Sequence, residues 1–208
     1  MGADSTPEPL AIGALAPQAW KNGAGLTREI AIGPRGAGHA GFDWRISLAE
    51  VASDAPFSAF PGIDRCITLL RGAGMRLASV DGRIDHRLDQ VLAPFCFPGD
   101  LALNATLFGG ACSDFNVMTR RNAWRAEVSV VRAAGELADA DVTLLLGVSG
   151  TWQIAAGAAD QNATWCIEPD AALLWRARRG MLRATPAATL GRQRAPALLQ
   201  VRLCQDRR

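Results

Sequence analysis

The feature that most limits what this chain can become is the absence of any long segment with helical period. Glycine (21 residues) and proline (11) interrupt its 208 residues every few positions. The runs between them are short and alternate. In FDWRISLAEV, Phe42, Trp44, Ile46 and Leu48 point one way while Asp43, Arg45, Ser47 and Ala49 point the other, the period of two that marks a strand. TREIAI sets Arg28, Ile30 and Ile32 against Glu29 and Ala31. DRCITLLRG, MRLASV, RIDHRL, LALNATLF, WRAEVSVVRA, VTLLLGV, TWQIAA, ALLWRA and ALLQVRL continue the series. Asp81-Gly82, lying between two such runs, is the strongest hairpin signal. Many short strands separated by turn residues predict an all-β sandwich or barrel.

The series contains an internal echo. TLLRGAGMRLA, from residue 68, resembles TLLLGVSGTWQIA, from residue 143, and FCFPGDLAL resembles WCIEPDAALL; the offsets are 75 residues between Thr68 and Thr143 and 70 between Asp100 and Asp170. Two fused β-barrels or jelly rolls are the expected architecture. Residues 1–19 would form a flexible lead-in and first strand, 20–121 the motif-bearing first barrel and 122–208 the second, with exchange of strands between the two left open.

Composition narrows the functional classes. Apolar residues make up 49% and charged residues 20%, a globular mixture. A net charge of +2, spread evenly, gives no nucleic-acid footprint, and the arginine-rich end (WRARRGMLR, GRQR, QDRR) is expected to be a solvated face. No apolar run approaches about 18 residues and no leader is expected, so neither membrane insertion nor export is predicted, and MGADST is too loose a match to a lipidation signal to count. Five widely spaced cysteines (Cys66, Cys96, Cys112, Cys166, Cys204) without a C-x-x-C pair suggest buried thiols in a reducing, cytoplasmic setting, not a disulfide framework.

The chemistry is concentrated before residue 122. The only histidines, His39 and His86, stand 47 positions apart, outside any H-x-H or E-x-x-H spacing, so no metal centre and no histidine-based nucleophilic triad is expected. NGAG lacks the spacing of a phosphate loop, which leaves no cofactor indicated. Beside that turn stand Lys21, the single lysine of a chain that otherwise uses arginine, then Asn22, Thr27, Arg28 and Glu29. PFSAFPGIDR forms a rigid, partly apolar loop ending in Asp64 and Arg65, and SDFNVMTRR gathers Asp114, Asn116, Arg120 and Arg121.

WKNGAGLTREIA, FDWRISLAEV, PFSAFPGIDRCITLLRGAG, PFCFPGD and SDFNVMTRR, in this order and spacing, resemble the HutD/Ves family over residues 20 to about 121. The resemblance implies a bicupin: two cupin-type barrels in one chain, lacking the usual cupin metal ligands and associated with bacterial histidine utilisation or stress response, in the cytoplasm. Two positions depart from the family pattern. Ala24 replaces the middle glycine of the first motif, and Ala55 replaces a glycine before PFS.

These segments predict a pocket at the mouth of the first barrel. Lys21 and Asn22 would reach in from the loop, Arg28 and Glu29 from the first strand, and Arg45 and Ser47 from the second. Phe57 and Phe60 would form a wall, with Asp64 and Arg65 at the rim. Converging cations suit a small anionic metabolite held by charge-assisted hydrogen bonds. The family association makes urocanate or a formyl- or formimino-glutamate the natural class. Binding that moderates the pathway is preferred to the alternative, a metal-free isomerase or hydrolase using Lys21 or Glu29 as general base. No nucleic-acid or membrane partner is expected, and a homodimer is compatible with the sequence without being required by it.

Overall fold

A computed structural model describes residues 6–38, 41–156, 163–176, 180–188 and 194–206. Its strands are short, and every pairing between them is antiparallel. They divide into two compact units, Leu15–Arg125 and a second that joins the N-terminal segment up to Ala14 to Ala126–Gln205.

In chain order the strands begin with β1 (Glu8–Ala11), β2 (Pro17–Ala19), β3 (Gly25–Gly33), β4 (Trp44–Val51) and β5 (Ala55–Phe57). They continue with β6 (Ile63–Arg71), β7 (Met75–Ser79), β8 (Asp85–Leu88), β9 (Pro94–Pro98), β10 (Leu103–Leu107) and β11 (Cys112–Arg120). Then come β12 (Trp124–Val131), β13 (Gly135–Leu137), β14 (Val142–Ser149), β15 (Trp152–Ala156), β16 (Thr164–Ile167), β17 (Ala171–Arg176), β18 (Leu182–Pro186) and β19 (Ala197–Gln205).

The 15–125 unit faces a six-stranded sheet, ordered β2-β3-β4-β11-β6-β9, with a four-stranded sheet ordered β5-β10-β7-β8. Asp81-Gly82 closes the β7–β8 hairpin, where Gly82 takes φ 74°. Side chains alternate across each strand. Ile67, Leu69 and Phe97 therefore meet Phe57, Met75, Leu77, Leu103 and Ala105 from the opposite sheet in one apolar core.

The second unit repeats the plan. Its sheets run β1-β17-β14-β19-β12 and β13-β18-β15-β16, so β4-β11-β6-β9 corresponds to β12-β19-β14-β17 and β5-β10-β7-β8 to β13-β18-β15-β16. A shared irregularity fixes the residue match. The pairing of β11 with β6 passes over Leu70, between Ser113↔Arg71 and Asp114↔Leu69. The pairing of β19 with β14 passes over Val148, between Ala197↔Ser149 and Leu198↔Gly147. The repeat is thus real in topology, while the alignment expected from sequence is out of step. Thr143 shares a face with the core residue Leu145, whereas Thr68 alternates with the core residues Ile67 and Leu69. FCF lies on β9 but WCI on β16, which is the counterpart of β8. Leucine-rich segments resemble one another whichever way they face, so similarity alone does not set register.

The second unit's interior is filled with hydrocarbon, including the fully buried Trp152 and Trp175 with Ile154, Ile167, Leu145 and Leu198. Aromatic side chains of this size supply much of a core's buried area.

The cysteine expectation is corrected. Cys66 on β6 and Cys96 on β9 form a disulfide, their positions being direct cross-strand partners. Cys112 is buried, but Cys166 is exposed and Cys204 half-buried. The two bridged residues lie 30 positions apart, and only the adjacency of β6 and β9 brings them together. The pairing removes the cysteine-based ground for assigning a reducing compartment. Among the described residues no helix is long and apolar enough to cross a membrane.

Candidate functional site

The inner face of the six-stranded sheet carries polar side chains where a barrel interior ordinarily carries hydrocarbon. Cross-strand partners project to the same side, so register builds the site in rows. One row runs Arg45–Met118–Arg65–Phe97 across β4, β11, β6 and β9; the next runs Glu29–Ser47–Asn116–Ile67–Phe95 from β3 to β9. One step further along β11 lies Asp114, level with Ala49 and Leu69.

A cavity of about 720 Å³ opens over these rows. Its floor is Arg45, Ser47, Arg65, Asn116 and Met118; Pro56, Phe57, Ser58 and Phe60 line one side, and Trp20, Lys21 and Asn22 line the mouth.

Local chemistry explains each wall. In the mouth loop Trp20 N donates to Gly25 O (2.9 Å), Ala24 N donates to Asn22 Oδ1 (3.1 Å) and Trp20 Nε1 donates to Thr27 Oγ1 (2.8 Å). The residue in the left-handed conformation is Gly23 (φ 72°), so alanine at position 24 meets no backbone penalty. Gly25 is required for closeness, because a Cβ there would collide with the Glu50 carbonyl oxygen. Ala55, the other departure from the family pattern, sits in β5 opposite Ala105. The loop bearing Phe60 is held by Arg121, which donates to Asp64 (2.7 Å) and Asp100 (2.6 Å), while Asp100 also accepts from Gly62 N. Arg121 and that backbone N–H hold the Asp100 carboxyl well below the ordinary carboxylate range.

Two guanidiniums are buried in the floor, Arg45 and Arg65 each 5% exposed. Arg45 Nε donates to Glu29 Oε2 at 2.8 Å. Arg65 lies among three phenyl rings, its Cζ 5.5 Å from Phe57, 5.6 Å from Phe60 and 5.3 Å from Phe97, and its Nε has no hydrogen-bond partner. Burial lowers its pKa to about 10, so it stays charged at neutral pH. Asp114 is fully buried with neither carboxylate oxygen hydrogen-bonded. Burial pushes its carboxyl up to about 7, opposed by the Arg65 charge and by the Asn116 amide. Asn116 Oδ1 is likewise buried without a partner.

Of the residues expected from sequence, Lys21, Asn22, Arg45, Ser47, Phe57, Phe60 and Arg65 line this cavity. Arg28, Glu29 and Asp64 do not. Neighbours in a strand face opposite ways, so Arg28 cannot share a face with Glu29, nor Asp64 with Arg65. Arg28 pairs with Glu50, and Asp64 with Arg121. Glu29 acts one step back, through Arg45. Arg120 ties down a loop by donating to Asp43 Oδ1 (3.1 Å) and the Phe42 carbonyl (2.6 Å). Sequence reasoning left Asn116 without a role, and it missed Trp20 and Met118. The available signal was the i, i+2 spacing of Asp114 and Asn116 inside an otherwise apolar strand, which puts both on one face. His86 stacks on Phe95 at 3.6 Å, and His39 lies outside the described residues. Among the described residues no group of three or more His, Cys, Asp or Glu is placed to hold a metal ion.

The HutD family model matches residues 13–190. A Protein Ves of Escherichia fergusonii is 38% identical over 149 residues, covering 70% of this chain and 76% of that one, and a Protein Ves of Citrobacter koseri is 40% identical over the same shares. Among solved structures, a conserved protein of unknown function from Pseudomonas aeruginosa PAO1 superposes with TM-score 0.82 at 31% identity, covering 96% of this chain and all of that one. A HutD from Pseudomonas fluorescens SBW25, from a formate condition, gives 0.77 at 26% identity over 96% and 99%. A cupin 2 conserved barrel domain protein from Leptotrichia buccalis, at 8% identity and TM-score 0.58 over 95% and 96%, shares the fold alone.

Proposed function

The chain belongs to the HutD family, and from that premise we propose that its 15–125 unit binds a small anionic metabolite and moderates a pathway without turning the ligand over. Family membership supports a cupin associated with histidine utilisation. Carboxylates of histidine degradation, such as urocanate or formyl- and formimino-glutamate, are therefore the acids of choice.

The observation that carries this is the pair of buried guanidiniums, Arg45 and Arg65, in the floor of one cavity with Lys21 at its mouth. Arginine presents a planar fork that meets a carboxylate through two parallel N–H···O bonds. The Arg65 fork is set in place by three aromatic rings before any ligand arrives, which lowers the ordering cost of binding. Lysine at the mouth is a mobile point charge suited to drawing an anion in. Glu29, engaged by Arg45, serves as its counter-charge, which favours binding over base catalysis.

The test is isothermal calorimetry with N-formylglutamate and urocanate, alongside proton NMR of the same mixtures. Saturable heat without any new product supports the proposal; consumption of the acid turns it into the enzymatic alternative. Lys21→Met should weaken binding several-fold, the scale of a rim charge, and shrink ligand-induced thermal stabilisation accordingly. Its unliganded melting point should stay put, because an exposed side chain usually contributes within about 0.5 kcal/mol. A marked loss of unliganded stability would make Lys21 structural.

A further inference from the structure

The strand that brings Phe97 to Arg65 lies at the edge of its sheet. Among the described residues β9 pairs with β6 alone. Along that ladder Arg65↔Phe97 faces the cavity floor, and the next pair, Cys66↔Cys96, faces the other way and is bridged. The turn after β9 holds more of the site. Phe60 N donates to Gly99 O and Gly99 N to Ile63 O, each at 2.7 Å, and Gly62 N donates to Asp100 Oδ1 at 2.8 Å. Gly99 lies so close to Arg65 that a Cβ there would come within 3.2 Å of its Cγ and Cδ. β9 and its turn therefore place two of the three rings around Arg65 and brace its hydrocarbon stem.

The fold does not require the bridge. Counted from the matching irregularity, Cys66 corresponds to Leu144 on β14, whose cross-strand partner on β17 is Leu174. Both leucines are buried, and β17 has β1 as a second neighbour. The second unit thus holds its equivalent strand by hydrocarbon and two ladders. The 15–125 unit holds β9 by one ladder and a bond that a thiol can break. Access to that bond is one-sided, since Cys66 is 3% exposed whereas Cys96 lies exposed. Exposed disulfides are the labile ones.

We propose that the Cys66–Cys96 bridge is a redox switch on the anion site. Oxidised, it fixes β9 and its turn so that the cage around Arg65 is complete; reduced, it lets that edge loosen, and affinity for the acid falls. The switch rests on the anion reading above. Its chemistry is exchange with a dithiol. One thiolate of the dithiol attacks Cys96 Sγ, the Cys66–Cys96 bond breaks, and Cys66 leaves as a thiolate that takes up a proton. The second sulfur of the dithiol then attacks the first, which is bound to Cys96, and Cys96 is released as a thiol. The protein gains two electrons and two protons, and the dithiol becomes a disulfide. Cys112, Cys166 and Cys204 are already free thiols and take no part. Coupling of this kind is reciprocal, so a bound acid makes the bridge harder to reduce by the same factor.

The test titrates N-formylglutamate and urocanate into the full chain by calorimetry in three states: bridged, fully reduced by dithiothreitol, and reoxidised. Alkylation followed by mass spectrometry reads the state of the cysteines. Reduction should weaken binding by roughly fivefold or more, the lower end of the usual coupling between two sites. Reoxidation should restore it, and the far-UV circular dichroism should not change. Cys96→Ser should bind as the reduced protein does, with or without dithiothreitol. With the site saturated, reducing half of the bridge should need a correspondingly higher ratio of reduced to oxidised dithiothreitol. Equal affinity of the bridged and reduced wild type overturns the switch and leaves the anion site standing, with no variant needed. Loss of the fold on reduction makes the bridge structural and overturns the switch as well. So does alkylation of all five cysteines before any reductant is added. Failure of both acids to bind in any state overturns the anion site and the switch together.

Discussion

Arg65→Met should abolish measurable binding of N-formylglutamate, lowering affinity by at least a hundredfold. Truncating one member of a buried, hydrogen-bonded charge pair costs about 2–5 kcal/mol, much of it the penalty of leaving the partner charge unmatched. Methionine keeps most of the hydrocarbon that fills the space between Phe57, Phe60 and Phe97, so the site should lose its charge without losing its walls. Arg65→Lys retains the charge but not the two-pronged geometry and should fall between the two. The substitution has a second signature. Arg65 is the charge that opposes burial in setting the ionisation of Asp114, so removing it makes an ionised Asp114 still more costly and should lower the melting temperature above neutral pH. Adding Asp114→Asn to Arg65→Met should restore that stability without restoring binding. Calorimetry and thermal melts of the three proteins at pH 8 check all of this. Retention of wild-type affinity by Arg65→Met would remove Arg65 from the site.

Asp114→Asn alone should flatten the dependence of stability on pH. The folded protein holds a proton on Asp114 up to about 7, whereas an unfolded aspartate, with its ordinary value of 3.8, has released it well below that. Between those values the unfolded chain binds fewer protons, so stability falls as pH rises through that window and levels off above it. At 1.36 kcal/mol per pKa unit the loss is on the order of 4 kcal/mol. For a chain of this length that corresponds to roughly ten degrees in melting temperature. The difference between variant and wild type, followed from pH 4 to 8, isolates this group from the other acids. It should grow in favour of the variant as pH rises. A difference that stays constant would mean that the Asp114 carboxyl titrates alike in the folded and unfolded chains.

What sequence could reveal of this site followed from alternation. Arg45 and Ser47 were placed correctly on one face of β4 because their apolar neighbours occupy the other. The same rule, applied to Arg28 and Glu29 or to Asp64 and Arg65, would have separated each pair, since adjacent strand residues cannot both enter one cavity. Asp114 and Asn116 were legible in spacing but not in meaning: their lack of partners appears only once β4, β6 and the facing sheet surround them. The Cys66–Cys96 bridge was out of reach for the same reason, being a property of strand order. The repeat was visible, but its register was set by a residue passed over in each of two ladders, which composition does not encode.

The placement of β1 bears on how the molecule is made. Glu8–Ala11 pairs with Leu174, Leu173, Ala172 and Ala171, and Ile12 N donates to the Asp170 carbonyl at 3.0 Å. This segment therefore belongs to a sheet whose receiving strand emerges from the ribosome about 160 residues after it. At usual synthesis rates that is a wait of roughly ten seconds or more, during which this stretch has no native neighbour to dock on. Deleting Glu8–Ala11 would leave the outer flank of β17 with unpaired amides open to other chains, so its removal should first be felt as loss of solubility in the unit that contains β17.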